Sequence, residues 1–176
     1  MKKVTLLTIL AAMMMFASFA SAQTATGTLT VTATVNGSIN LVFNSDAAGV
    51  ALSSGAGTNT ATLAFGNVSA FGAVAAGVTR TSTANTFTVS TPVDVLVTKA
   101  NSASANYTLK AQLGSADAVN TWQVAGNTIT NTSATPITAT GTYGSNTAEA
   151  IAITVPFATT SGTLISNTIT FTATAN

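Results

Sequence analysis

The chain predicts an all-β fold: a single antiparallel β-sandwich, Ig-like or jelly-roll-like, following a cleaved signal peptide. Beyond residue 22, threonine, valine and isoleucine alternate with period two, and clusters of Gly, Asn and Ser interrupt these runs at short intervals. No stretch there carries the 3.6-residue spacing of a helix, so the pattern reads as short strands joined by turns. No Pro/Ser-rich linker divides it, and residues 23–176 read as one domain.

The first 22 residues stand apart from the fold. Lys2 and Lys3 precede an apolar run, Val4 to Phe19, which is too short and poorly flanked for a membrane anchor. Ala20-Ser21-Ala22 then supplies the small-residue pattern of a cleavage site, so export and cleavage before Gln23 are expected. No second span, lipid-bearing cysteine or carboxyl-terminal anchor is legible after it. The expected location is therefore secreted, either extracellular or on the cell surface, and the host is expected to be a bacterium.

The strands follow in order. "GTLTVTATVNG" (27–37) sets Leu29, Val31, Ala33 and Val35 on one face and threonines on the other, predicting a strand Thr28–Val35. Next come Ser38–Asn44, Thr60–Phe65, Val78–Thr83, Thr86–Thr91, Val93–Lys99, Tyr107–Leu113, Thr121–Ala125, Thr128–Asn131, Ile137–Thr142, Ala148–Phe157 and Leu164–Thr174. A hairpin is expected to join Val93–Lys99 to Tyr107–Leu113 across the polar tip "NSASAN", and a tight turn at Gly126-Asn127. Asp94, Lys99 and Lys110 fall at or beyond the outward phase. A two-residue hairpin at Asn36-Gly37 would oppose Leu41 to Thr32 and Phe43 to Thr30, placing apolar groups on opposite faces. Matching the faces needs a three-residue loop or a chain that runs on past Asn36. Gly37 can serve as a hinge there.

Charge excludes some functions. Only 5% of residues are charged, where a protein surface is ordinarily about a quarter to a third charged. After cleavage there remain Arg80, Lys99 and Lys110 against Asp46, Asp94, Asp117 and Glu149. Three scattered cations make no basic face, so nucleic acid is not an expected partner. Few lysines or prolines guard the strand edges, and an unguarded edge pairs readily with other chains.

Catalysis lacks its reagents. With no histidine and no cysteine, Ser-His-Asp, Cys-His and the usual zinc sites are impossible, and disulfides are absent despite export. A glycosidase would need two of four scattered acids to converge; each acid is expected instead to be a solvated loop or strand residue. In "NSDAAG" (44–49), Asn44, Asp46 and Gly49 have calcium-loop spacing without the later acidic ligand, so an Asx-turn is expected. An isopeptide bond would need Lys99 or Lys110 buried beside an acid, against their phase. No enzyme activity, cofactor or metal is expected. Trp122 and Tyr143 are candidates for stacking on a ligand, against a rival account in which a lone tryptophan in a sandwich packs in the core.

The two ends of the mature chain match. "TLTVTATVN" (28–36) aligns without gaps on "TITFTATAN" (168–176): the threonines coincide, as do Ala33 with Ala173 and Asn36 with Asn176. Either a threonine-rich composition repeats itself, or both ends are built for similar sheet-edge sites. Ile169, Phe171 and Ala173 then mark a carboxyl-terminal edge strand. Together with "LAFGNVSAFG" (63–72) and the alternating strand after Gly162, the chain resembles exported β-sandwich pilin-like subunits, which include fimbrial and spore-coat-U-like proteins. The resemblance implies polymerisation by donation of an amino-terminal strand, here within 23–36, with Leu29, Val31, Ala33 and Val35 as the inserted face. Many such pilins carry a disulfide and a penultimate aromatic residue. This chain has neither, which leaves chaperone-assisted and unassisted assembly equally open.

Two functions are therefore carried forward. One is a structural subunit of an extracellular filament or cell-surface layer, with other copies of itself as partner. The alternative is a secreted monomeric binding module for carbohydrate or another cell-surface ligand. Trp122 and Tyr143 on one exposed loop face would favour binding; both buried would favour the scaffold.

Overall fold

The computed structural model describes residues 26–176; the expected signal peptide, Met1 to Ala22, lies outside the described residues. The chain divides between Thr34 and Val35 into an amino-terminal unit, described from residue 26, and a β-domain, Val35–Asn176. No helix occurs among the described residues, and the fold is an antiparallel, sandwich-like all-β structure.

Its strands are β1 (Ser38–Asn44), β2 (Thr79–Ser82), β3 (Thr86–Ala100), β4 (Tyr107–Leu113), β5 (Thr121–Val124), β6 (Asn127–Ile129), β7 (Thr135–Gly141), β8 (Asn146–Pro156) and β9 (Ile169–Ala175). One sheet runs β1-β3-β8-β5-β6, with β2 beside the first half of β3; the other runs β7-β4-β9. Alternate residues of β3, β8 and β4 point between the sheets. Val95, Val97, Tyr107, Leu109, Ala111 and Val124 are at most 1% exposed there. Each large apolar side chain buried this way stabilises the fold by roughly 1.5–3 kcal/mol before ordering costs.

Several predicted strands differ from the structure for identifiable reasons. Thr86–Thr91 and Val93–Lys99 form one strand that runs through Pro92. Phe43 bonds away from β3, to Thr58 and Gly57, so the alternation of the ladder directs even-numbered β3 residues toward the β1/β2 side. There β2 ends opposite Ser90 and β1 ends opposite Asp94. The donor that proline lacks thus falls in the gap between two partner strands, where no ladder bond is lost.

The expected hairpin between Val93–Lys99 and Tyr107–Leu113 does not form. β3 and β4 lie in different sheets, and the tip 101–106 carries the chain from one to the other. The expected turn at Gly126-Asn127 sits one residue earlier: Val124 pairs with Asn127, leaving Ala125 (φ 49°) and Gly126 (φ 78°) as a two-residue loop. Two consecutive positive φ values define the type I′ geometry that matches strand twist, and glycine adopts it without strain. Thr60–Phe65 forms no strand, only an isolated bridge from Thr62 to Ser54. Thr28–Val35 forms none either.

Candidate functional site

The amino-terminal segment carries the alternation of a strand without a partner. Residues 26–37 have no assigned strand and every one is exposed; Leu29 is 88%, Val31 80% and Val35 72% exposed. Unpaired apolar residues alternating with threonine form a surface that water solvates poorly and that a sheet edge would cover. Phe71 is also largely exposed, but its ring lies 5.8 Å from Phe157, and Arg80 holds its loop by bonds to the carbonyls of Ser69 and Gly72.

At the other terminus the same alternation is folded. β9 pairs with β4, Ile169 opposite Leu113 and Ala175 opposite Tyr107. The ladder continues past both ends, Gly114 N–H donating to Thr168 and Asn176 N–H to the Asn106 carbonyl. Even-numbered residues therefore bond to β4, and the N–H and C=O groups of Ile169, Phe171, Ala173 and Ala175 point away from it. No described strand pairs with that side. Asn176 locks the end: its Nδ2 donates to Asn106 Oδ1 (2.6 Å) and the Ala139 carbonyl (3.1 Å), and its Oδ1 accepts from Thr108 Oγ1 (2.8 Å).

β1 is the matching edge of the larger sheet. Phe43 has both outward main-chain groups occupied by the Gly57–Thr58 turn, whereas Ile39 and Leu41 have no outward main-chain partner among the described residues. Phe43 and Phe171 meet edge to face with centroids 5.3 Å apart, so the free edges of β1 and β9 border one seam of the sandwich. Leu41, Phe43, Ile169, Phe171 and Ala173 pack against the core there yet remain partly exposed. β1 was legible only as an in-phase strand. Its role as a border of the seam follows from sheet order, which alternation does not encode.

Gly37 fixes how the exposed segment joins β1. Ser38 pairs with Ala100, and a β-carbon on Gly37 would lie 2.8 Å from the Asn101 carbonyl oxygen. The backbone thus passes tightly along the β3–β4 tip rather than turning at Asn36-Gly37, and only glycine fits so close an approach.

Two of the acids, Asp117 and Glu149, depart from the expected solvated state. Asp117 accepts the Val119 and Asn120 N–H groups, the Asn120 amide and the Trp122 indole. Burial opposes its charge, but these bonds outweigh burial and hold the carboxyl down at about 2. Glu149 is 3% exposed, inward-facing on β8. Burial pushes its carboxyl up, opposed weakly by the Thr138 hydroxyl at 3.4 Å. Its phase with Ile151, Ile153 and Val155 is a sequence signal that would have found it. Asp94 is raised by burial and then by the neighbouring Asp46 charge. Asp46 accepts the Ala48 N–H at 2.7 Å, the expected Asx-turn. No group of three or more His, Cys, Asp or Glu side chains suited to a metal occurs among the described residues. Lys99 and Lys110 are both exposed, and the Lys99 ammonium lies 5.0 Å from the Tyr143 ring centroid.

Trp122 and Tyr143 share no face. Trp122 is buried opposite Ile153, whereas Tyr143 is half-buried beyond the other end of β8, its hydroxyl donating to the Asn106 carbonyl at 3.1 Å. Beside Trp122 lies an open cleft of about 320 Å³ lined by Asn120, Thr121, Thr128, Thr130 and Asn131 among others, into which the tryptophan offers little surface. Comparison with protein-family models, with curated proteins and with solved structures finds no match.

Proposed function

We propose that the protein is a structural subunit of an extracellular filament or cell-surface layer, joined to other copies by β-strand addition, in the manner of the pilin-like subunits it resembles. One observation carries the reading: an exposed, strand-patterned terminus occurs in a chain whose sandwich has a seam bordered by β9 and by the Ile39–Leu41 part of β1, edges without a strand partner among the described residues. Main-chain groups of Ile169, Phe171, Ala173 and Ala175 supply one side of a ladder, and Leu29, Val31, Ala33 and Val35 supply an apolar face for the seam. Burial of Leu29, Val31 and Val35 is worth roughly 1.5–3 kcal/mol each, and each ladder bond about 0.5–1.5 kcal/mol, before ordering costs. A contact of that kind passed head to tail produces an open filament.

The alternative, a monomeric binding module, would use the cleft beside Trp122. The burial of Trp122 and its separation from Tyr143 support the scaffold instead. Electron microscopy and size-exclusion of the mature protein test the reading. The chain from Gln23 is expected to form extended polymers, and a chain lacking residues 23–36 is expected to stay monomeric. Identical behaviour of the two chains would refute strand donation.

A further inference from the structure

Asn36-Gly37 is where the exposed segment meets β1, and its two residues have different explanations. Packing requires glycine at 37, because a β-carbon there would lie 2.8 Å from the Asn101 carbonyl oxygen. No described residue requires asparagine at 36: its side chain is exposed and bonds to none of them, and residues 26–37 belong to no strand.

An asparagine followed by glycine can react with its own main chain. The nitrogen of the next residue attacks the side-chain carbonyl carbon and closes a five-membered ring, an approach that a β-carbon on that next residue hinders. Gly37 has no β-carbon. It continues the odd-numbered phase of β1, whose main-chain groups point away from β3, and its N–H has no main-chain acceptor among the described residues. Asn36 lies in no ladder, so its ψ and χ angles can turn until Cγ meets the Gly37 nitrogen, while Gly37 stays against Asn101. Every other asparagine before the carboxyl-terminal one precedes Leu, Ser, Thr, Val or Tyr. Several are also held through their side-chain amides, Asn120 by Asp117, Asn146 by Asp94 and Asn167 by Ser115.

We infer that Asn36-Gly37 is a site of spontaneous modification, at which the Asn36 amide becomes a carboxylate by way of a succinimide. The Gly37 nitrogen gives its proton to solvent base and bonds to Asn36 Cγ. The bond from Cγ to the amide nitrogen breaks, and that nitrogen takes a proton from water and leaves as ammonia. Water then opens the ring at either carbonyl. Opening at Cγ keeps the ordinary peptide link and leaves an aspartyl side chain, whereas opening at the main-chain carbonyl routes the backbone through Cβ and leaves an isoaspartyl link. Water is the co-reactant, and nothing is oxidised or reduced. Either product adds a negative charge to a chain with few charges, and the isoaspartyl form adds a main-chain atom between Val35 and Gly37. That extra atom changes the phase of the segment against β1 and leaves the sandwich as it was. The reaction does not depend on whether copies join through the segment.

The test incubates the mature full-length chain in warm, mildly alkaline buffer, at a concentration where size-exclusion shows single copies. Its peptides are mapped over time by mass spectrometry, with isoaspartyl methyltransferase as the probe for the isoaspartyl form. Asn36 is expected to convert first, at least about tenfold faster than any other asparagine, with both products present and a rate that rises with pH. The same measurement in urea separates the fold from the dipeptide. There the Asn36 rate is expected to stay within about threefold of its folded value, while Asn120 and Asn146, released from their partners, speed up. Asn36→Gln, whose longer side chain would need a six-membered ring, is expected to abolish conversion at this position and leave the urea midpoint of the domain unchanged. A folded chain whose Asn36 amide outlasts that of another asparagine overturns the inference, as does conversion about tenfold or more slower in the fold than in urea. These rates are read on single copies, so their outcome is separate from that of strand addition.

Discussion

Residues 28–36 and 168–176 carry nearly the same sequence and meet opposite ends. In β9 the pattern is paired along β4, its apolar residues turned to the core and its last asparagine held by Asn106, Thr108 and Ala139. In the amino-terminal segment the same alternation has no strand assignment, and Leu29 and Val31 stand open to solvent. Alternation therefore makes a segment able to be a strand, while a neighbouring edge in the right direction and phase makes it one. β9 has such an edge at home. The amino-terminal segment has no strand partner among the described residues.

Paired substitutions at aligned positions put that contrast under load. The largest difference is expected between Phe171 and Val31. Phe171→Ala removes a half-buried ring that packs on Phe43, and should cost toward the lower end of the roughly 3–5 kcal/mol seen for buried Phe→Ala changes. Val31→Ala should leave the denaturation midpoint of the unassembled chain within about 0.5 kcal/mol, while weakening assembly. Equal effects of the two changes on the unassembled fold would break the comparison.

A smaller gap is expected at the aligned asparagines. Asn176→Ala removes three side-chain hydrogen bonds and should destabilise the domain by about 1–3 kcal/mol in urea denaturation. Asn36→Ala should leave that midpoint in place, since Asn36 is exposed and its side chain bonds to no described residue.

The pH response sharpens the contrast from the side of the folded domain. The Glu149 carboxyl is raised by burial, so the fold prefers its neutral form. Stability from that preference is complete below the ordinary carboxyl range near 4.5 and is lost as pH rises through the higher folded value. Glu149→Gln should therefore flatten this part of the profile and raise thermal stability at neutral pH. Thermal melts of the tail-deleted chain should show the same change, because the effect belongs to the sandwich and not to the terminus. A neutral-pH loss of stability in Glu149→Gln would contradict a carboxyl whose charge is opposed by burial.

Much of the fold was legible because period-two alternation reports faces directly. β1 and β4 match their predicted ranges, and most other strands differ only at their ends. What alternation omits is the identity of the neighbour. The polar tip between Lys99 and Tyr107 looked like a hairpin because a short link suits one, yet it carries the chain between sheets. Pro92 looked like a break because a missing donor is costly inside a ladder, yet it falls where two partner strands end. Thr28–Val35 read as a strand for the same reason β9 did, and the sequence held no sign of which would find an edge. At the seam, the apolar faces of the two termini were legible. The exposure of one, the free edge of the other and the bordering role of β1 came from topology.

Hydrogen–deuterium exchange on the intact mature protein, read by residue at low and high concentration, addresses the central claim most directly. Strand addition predicts that the amides of Leu29, Val31, Ala33 and Val35 gain protection together with those of Ile169, Phe171, Ala173 and Ala175 as copies associate. Association without protection at both sets, or exchange that stays the same from the lowest to the highest concentration, would contradict it.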